Sequence, residues 1–185
     1  MFGLKYGASN SGNAAQKAGI HMTLKTCAPI LSTEEMLPFL NKITVFNGLS
    51  RPQLEKVCKL LKTVKYEAGE YIYKRGDALN NIYIIQHGEV KMIFEDKGLY
   101  LELISFKEGD CFGETSIIGI LTHSSNALIV RPAELIVLEP NKLLNIYETD
   151  KEIFSLLILN IARETSRRLH QSNEVLIQHM VGKNK

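Results

Sequence analysis

The sequence predicts a mainly β domain with flanking helices: an eight-stranded jelly-roll β-barrel with N-terminal helices and a long C-terminal helix. Three observations predict it. Between Thr63 and Leu138, short β-rich runs are broken at regular intervals by turn residues: Gly69, Gly76-Asp77, Asn80-Asn81, Gly88, Asp96-Lys97-Gly98, Glu108-Gly109-Asp110 and Arg131-Pro132. That is the rhythm of a barrel or jelly roll. On both sides of this interval the apolar residues return to helical spacing. With 185 residues, 45% of them apolar and 23% charged, the chain has room for one domain with a real core.

Residues 1–31 are expected to form a flexible tail. Met1 to Met22 is rich in Gly, Asn, Ala and Ser and lacks the continuous apolar stretch of a signal peptide. Gly19-Ile20-His21-Met22 has the form of a vector scar, with Met22 as the natural start. Order is expected from Ser32, where Ser32-Thr33-Glu34-Glu35 makes a capping box ahead of Met36, Leu37, Phe39 and Leu40. Ser50, with Pro52 and Gln53 behind it, announces a second helix whose Leu54, Val57, Cys58 and Leu61 share a face.

The barrel follows, and residues 32–140 are assigned to these helices and the barrel together. Ile82 to Ile85 and Val90 to Phe94 read as strands flanking a turn at Gly88, and Leu99 to Phe106 pairs back across Asp96-Lys97-Gly98. Residues 141–185 supply the C-terminal helices, acting as lid and dimerisation element: a short one over Asn141 to Tyr147 and a long one from about Lys151 to Met180. At 1.5 Å per residue the long helix extends roughly 45 Å, more than a small barrel can cover. One alternative has Ile153, Phe154, Leu157 and Ile161 dock on the barrel while the rest of the helix frays. Ile158, Ala162, Thr165, Leu169, Ser172 and Leu176 alternate by four and three, the spacing of a two-helix seam, which points to a homodimer.

A formal charge of +2 carries no clustered basic patch for nucleic acid or an acidic membrane. Cys27, Cys58 and Cys111 are odd in number and far apart, which fits neither a disulfide framework nor a four-cysteine metal site. A reduced, cytoplasmic setting follows. No stretch is long and apolar enough to cross a bilayer.

One run carries chemistry. Gly109-Asp110-Cys111-Phe112-Gly113-Glu114 is followed about ten residues later by Ser124-Ser125-Asn126-Ala127. A glycine at 113 lets the backbone approach a ligand closely. A short helix from Glu114 through Thr115, Ser116, Ile117 and Ile118 aims free N–H groups at an anion. Glu114 can accept a hydrogen bond from a ribose hydroxyl.

With these motifs in view, residues from about Phe39 to Met180 resemble the cyclic nucleotide-binding domain family. Val45-Phe46-Asn47-Gly48-Leu49-Ser50 resembles its helical lead-in, Gly69 to Asp77 its first barrel turn, and Phe112-Gly113-Glu114 the start of its phosphate-binding cassette. The resemblance implies a stand-alone sensor that takes cAMP or cGMP, has no other cofactor, is not an enzyme, and signals through its C-terminal helix to an unknown downstream protein. It also implies an arginine for the phosphate, and Ser125 occupies that position. His123, two residues away on the same face, is the better substitute. Arg131 shares the parity but stands about 20 Å along an extended strand. Arg167 to Glu174 resembles the ligand-capping helix of bacterial catabolite activator proteins, with Ser172 and Asn173 matching a small polar pair that contacts the purine. The ligand-binding set expected from residues and resemblance together is Phe112, Gly113, Glu114, Thr115, Ser116, His123, Ser124, Ser125, Asn126, Ser172 and Asn173, with no metal site. Five residues follow Met180, too few for a helix-turn-helix, so direct DNA binding is not expected.

Two alternatives stand beside the sensor. Ser125 favours a degenerate member that has lost nucleotide binding and serves as a dimerising scaffold. A cupin-type metalloenzyme shares the barrel texture, but His87 and His123 are isolated and make no His-x-His pair.

Overall fold

The computed structural model describes residues 25–30, 32–78, 81–119 and 121–182, with the side chains of 116, 117, 179 and 182 outside that description. Most of the expected tail therefore lies outside the described residues, as does Asn80 of the Asn80-Asn81 turn. Residues 28 and 29, expected within the tail, instead form a strand.

The N-terminal helices start where their caps predict. In α1 (Thr33–Leu40) the Ser32 hydroxyl accepts the Glu35 N–H at 3.3 Å. Pro38 sits inside this helix, toward its C-terminal end. A 3-10 turn over Thr44–Phe46 leads to α2 (Arg51–Cys58), where Gln53 Oε1 accepts the Ser50 N–H at 2.9 Å and completes a capping box.

Among the described residues seven strands come in chain order: β1 (Ala28–Pro29), β2 (Lys62–Tyr66), β3 (Tyr71–Tyr73), β4 (Ile82–Asp96), β5 (Leu99–Lys107), β6 (Cys111–Phe112) and β7 (Asn126–Leu138). They are antiparallel in the order β1-β2-β7-β4-β5, with β3 on β7 and β6 on β4. The sheet is mainly β jelly roll in kind, but no hydrogen-bonded pair joins its two ends among the described residues.

Between Thr63 and Leu138 the described residues form six strands rather than the expected eight, because two expected breaks are bends. Gly88 does not end a strand: β4 runs through it at φ +100, and the register against β7 shifts on both sides. A Cβ there would lie 2.5 Å from the Pro132 carbonyl oxygen, so the glycine is needed for close backbone approach. Arg131-Pro132 is the matching bend in β7, where a residue without an N–H is tolerated because the ladder is already irregular. The Lys97-Gly98 turn behaves as expected. Both residues have positive φ (45 and 85), which suits a two-residue hairpin joining Asp96 to Leu99.

Alternation along β4 and β7 divides the core in two. Ile82, Ile84, Ile136 and Leu138 face the helices and meet Leu40, Val57, Leu143 and Leu157. Tyr83, Ile85, Leu135 and Val137 face the barrel interior with Met92, Phe106, Phe112 and Ile129. After α3 (Glu114–Gly119) and α4 (Pro140–Thr149), α5 (Lys151–Gly182) anchors its first turns by burying Ile153, Leu157 and Ile161, with Phe154 partly buried beside them. Buried Asn160 also donates to the carbonyls of Val45 (3.1 Å) and Asn47 (2.7 Å), fixing α5 to the 3-10 turn. Beyond Glu164 the helix passes over the open end of the barrel.

Candidate functional site

Beneath that part of α5 lies a cavity of about 540 Å³. Its floor is aromatic: Phe112 stacks on Tyr83 at 5.3 Å and on Phe106 at 5.4 Å. β6 pairs with β4 through Cys111 and Phe112 and delivers Gly113 to the cavity wall at φ +88. A Cβ on Gly113 would sit 2.4 Å from the Asn81 carbonyl oxygen, so only glycine lets the chain turn here into α3.

Glu114 opens α3 and is 4% exposed. Its Oε1 accepts from Arg168 Nη1 at 3.0 Å, while its Oε2 is buried with no hydrogen-bond partner. Burial pushes the Glu114 carboxyl above its ordinary range, and Arg168 partly offsets this. Arg168 reaches the site from α5 and is held on all three guanidinium nitrogens. Nε donates to Glu164 at 2.9 Å, Nη1 to Glu114, and Nη2 to the Cys111 carbonyl, with the guanidinium 4.8 Å from the centre of the Phe106 ring. Arg167 and Arg168 hold the Glu164 carboxyl below its usual range.

The opposite wall is the loop before β7. His123 is buried, 6% exposed, with its ring stacked on Tyr73 at 3.6 Å and 8°. Its N–H donates to the Asp77 carbonyl at 3.1 Å, and its carbonyl accepts the Gly76 N–H at 2.9 Å. Burial pulls its pKa down, opposed in part by Asp77. Ser125, also buried, stands beside it on the cavity wall.

Of the residues expected from the sequence, Phe112, Gly113, Glu114, Thr115, His123, Ser124, Ser125 and Ser172 line the cavity. Two do not join them. Asn126 braces the frame instead: its Oδ1 accepts the Arg75 N–H at 2.8 Å and its Nδ2 donates to Glu95 at 3.1 Å. Asn173 is exposed and outside the lining, because α5 presents Thr165, Arg168, Leu169 and Ser172 on the facing side. The Ser116 side chain lies outside the described residues. Arg168, Thr165 and Tyr73 were not expected at the site. The available signal was the Glu164/Arg168 pair at i,i+4, which marks one helix face.

Residues 63–150 match the family described as the cyclic nucleotide-binding domain. These residues belong to that family. A cAMP-dependent protein kinase regulatory subunit of Schizosaccharomyces pombe is 32% identical over 79 residues, 43% of this chain and 18% of the relative. A cGMP-dependent protein kinase of Caenorhabditis elegans, egl-4, is 25% identical over 126 residues, 67% of this chain and 15% of the relative. The chain thus spans under a fifth of these relatives. Among solved structures, a cyclic nucleotide-binding domain from Methylobacillus flagellatus superposes with TM-score 0.70 at 20% identity, covering 80% of this chain and 83% of that one. The catabolite activator protein of Thermus thermophilus gives 0.64 at 23%, covering 74% and 63%. Both share the fold. No helix among the described residues is long and apolar enough to cross a membrane.

Proposed function

We propose that this protein is a cyclic nucleotide-binding regulatory domain that takes cAMP or cGMP in the cavity and signals through α5. The observation that carries the reading is the position of Glu114. It is buried beside Gly113 on the cavity wall, with one oxygen free to accept a ribose hydroxyl and the other tied to α5 through Arg168. Ligand and helix thus share one carboxylate. Phe112, Thr115, Ser124, Ser125 and Ser172 complete the polar and aromatic lining, and the relatives named for cAMP- and cGMP-dependent kinases support the ligand class.

The regulated element is the distal half of α5. Leu176 and Met180 are each about 60% exposed along one side of it, one helical turn apart, and this stripe pairs with a second copy of the chain in our reading. Ligand shifts the helix by binding its two positions with different affinity.

Calorimetric titration of the whole chain with cAMP and cGMP tests the reading. Saturable binding of at least one is expected. Glu114→Ala should weaken it roughly ten- to a hundredfold, the worth of a hydrogen bond to a charged acceptor. A second reading, a scaffold that has lost its ligand, is favoured by Ser125 and by the full engagement of Arg168. Absence of heat and of any thermal shift at millimolar nucleotide would select the scaffold.

A further inference from the structure

The charges on the cavity wall cancel. Among the described lining residues Glu114 and Arg168 are the charged pair, bonded to each other, and every guanidinium nitrogen of Arg168 already has a partner. A cyclic phosphate carries one negative charge. Moved into a half-closed cavity without a counter-charge, it would give up hydration for nothing of equal strength.

One lining side chain can still become a cation. His123 stands two residues before Ser125, and its position is fixed by two backbone hydrogen bonds to the Gly76-Asp77 turn and by the parallel contact with Tyr73. Its Nε2 is buried with no hydrogen-bond partner among the described residues. Buried polar atoms are nearly always paired, so an unpaired one marks a place where a partner or a proton is still to come.

The groups packed around the ring are few. Tyr73, from β3, donates its hydroxyl to the Met92 sulfur at 3.4 Å, and burial raises its pKa so that it stays neutral. Asp77, from the turn after β3, accepts the Lys74 N–H with its carboxylate and is the acidic group that favours a charged ring. Glu114 on α3 and Arg168 on α5 line the same cavity and neutralise each other.

We infer that His123 is the counter-ion of the ligand's phosphate and takes up a proton as the ligand binds. This rests on the reading of the cavity as a cyclic nucleotide site and adds which residue replaces the missing arginine. The linkage has a definite sign. A bound anion favours the charged ring and raises its pKa. Affinity is then full below the pKa of the free ring, falls about tenfold per pH unit above it, and levels off once pH passes the raised value in the complex.

The test is calorimetric titration of the whole chain with cAMP and with cGMP between about pH 5.5 and 8, a range that brackets histidine titration. Pairs of buffers with different ionisation heats report proton uptake, and adenosine serves as the uncharged control. The cyclic phosphodiester keeps its single charge throughout, so the slope belongs to the protein. The wild type should take up close to one proton per ligand and lose about tenfold in affinity per unit on the falling limb, while any adenosine binding stays level.

His123→Gln should bind weakly and without slope, and Ser125→Arg tightly and without slope, because its charge is permanent. Thermal melts confirm that each variant is folded. Nucleotide binding with no pH dependence in the wild type, or a slope that survives in His123→Gln, would overturn the inference and leave the cyclic nucleotide reading standing. Failure of the wild type to bind at any pH would remove both.

Discussion

An alanine at position 113 would place its Cβ 2.4 Å from the Asn81 carbonyl oxygen, on a backbone already at φ +88. Gly98 has a similar φ of +85, but nothing lies within 4 Å of its would-be Cβ. Gly113→Ala should therefore cost clearly more than Gly98→Ala: about 1–3 kcal/mol of backbone strain at either site, plus the collision at the first. Urea denaturation of the two variants checks the difference, and equal losses would mean that the cassette relaxes around the extra methyl. Much of this was legible from the sequence, since a glycine ahead of an acidic residue at a strand-to-helix junction is a local signal. Burial of His123 was not. Nothing in Thr122-His123-Ser124 marks a ring that will lie flat against Tyr73, a residue fifty positions earlier, because that contact is made by the pairing of two distant turns.

The helix α5 is one element with two environments. In its first turns Leu157 is fully buried against the helices and the sheet, whereas Leu176 near the other end is 58% exposed. Leu157→Ala should cost about 2–5 kcal/mol, the usual range for emptying a packed core site. Leu176→Ala should change the stability of an isolated chain by no more than about 0.5 kcal/mol. If the distal stripe pairs two copies, Leu176→Ala will instead lower the melting temperature of the dimer, and sedimentation velocity will show its dissociation at a higher protein concentration than wild type. A single wild-type species at monomer mass over the whole range would remove the pairing. The docking half was readable because Ile153, Leu157 and Ile161 recur at helical spacing. Which polar residues of the distal half face the cavity depended on the rotation of the helix about its axis, and that is set by tertiary anchors such as Asn160. Hence Ser172 lies on the cavity wall and Asn173, one position on, does not.

Across the whole molecule, α5 packs on the helix-facing side of the sheet with its first turns and reaches the cavity with four side chains farther on. At the site, Arg168 of α5 bridges Glu114 of α3, the Cys111 carbonyl of β6 and Glu164 of its own helix. Glu114 is buried enough that its charge is costly, so any ligand hydroxyl that bonds its free oxygen stabilises the ionised form. The ionised form in turn strengthens the hold on Arg168. Ligand binding should therefore tighten the part of α5 over the cavity, with a coupling on the order of 1–3 kcal/mol. Hydrogen exchange on the whole chain can read this directly. With saturating cAMP or cGMP, amides of residues 165–176 should exchange several-fold more slowly, while those around Leu157, already buried in the core, change little. In Arg168→Gln the nucleotide should bind more weakly, because Glu114 loses its counter-charge, and at saturating nucleotide the added protection over 165–176 should disappear. Equal protection in wild type and variant would show that the signal passes instead through direct contact of the ligand with Thr165, Leu169 or Ser172, the other α5 side chains on the cavity wall.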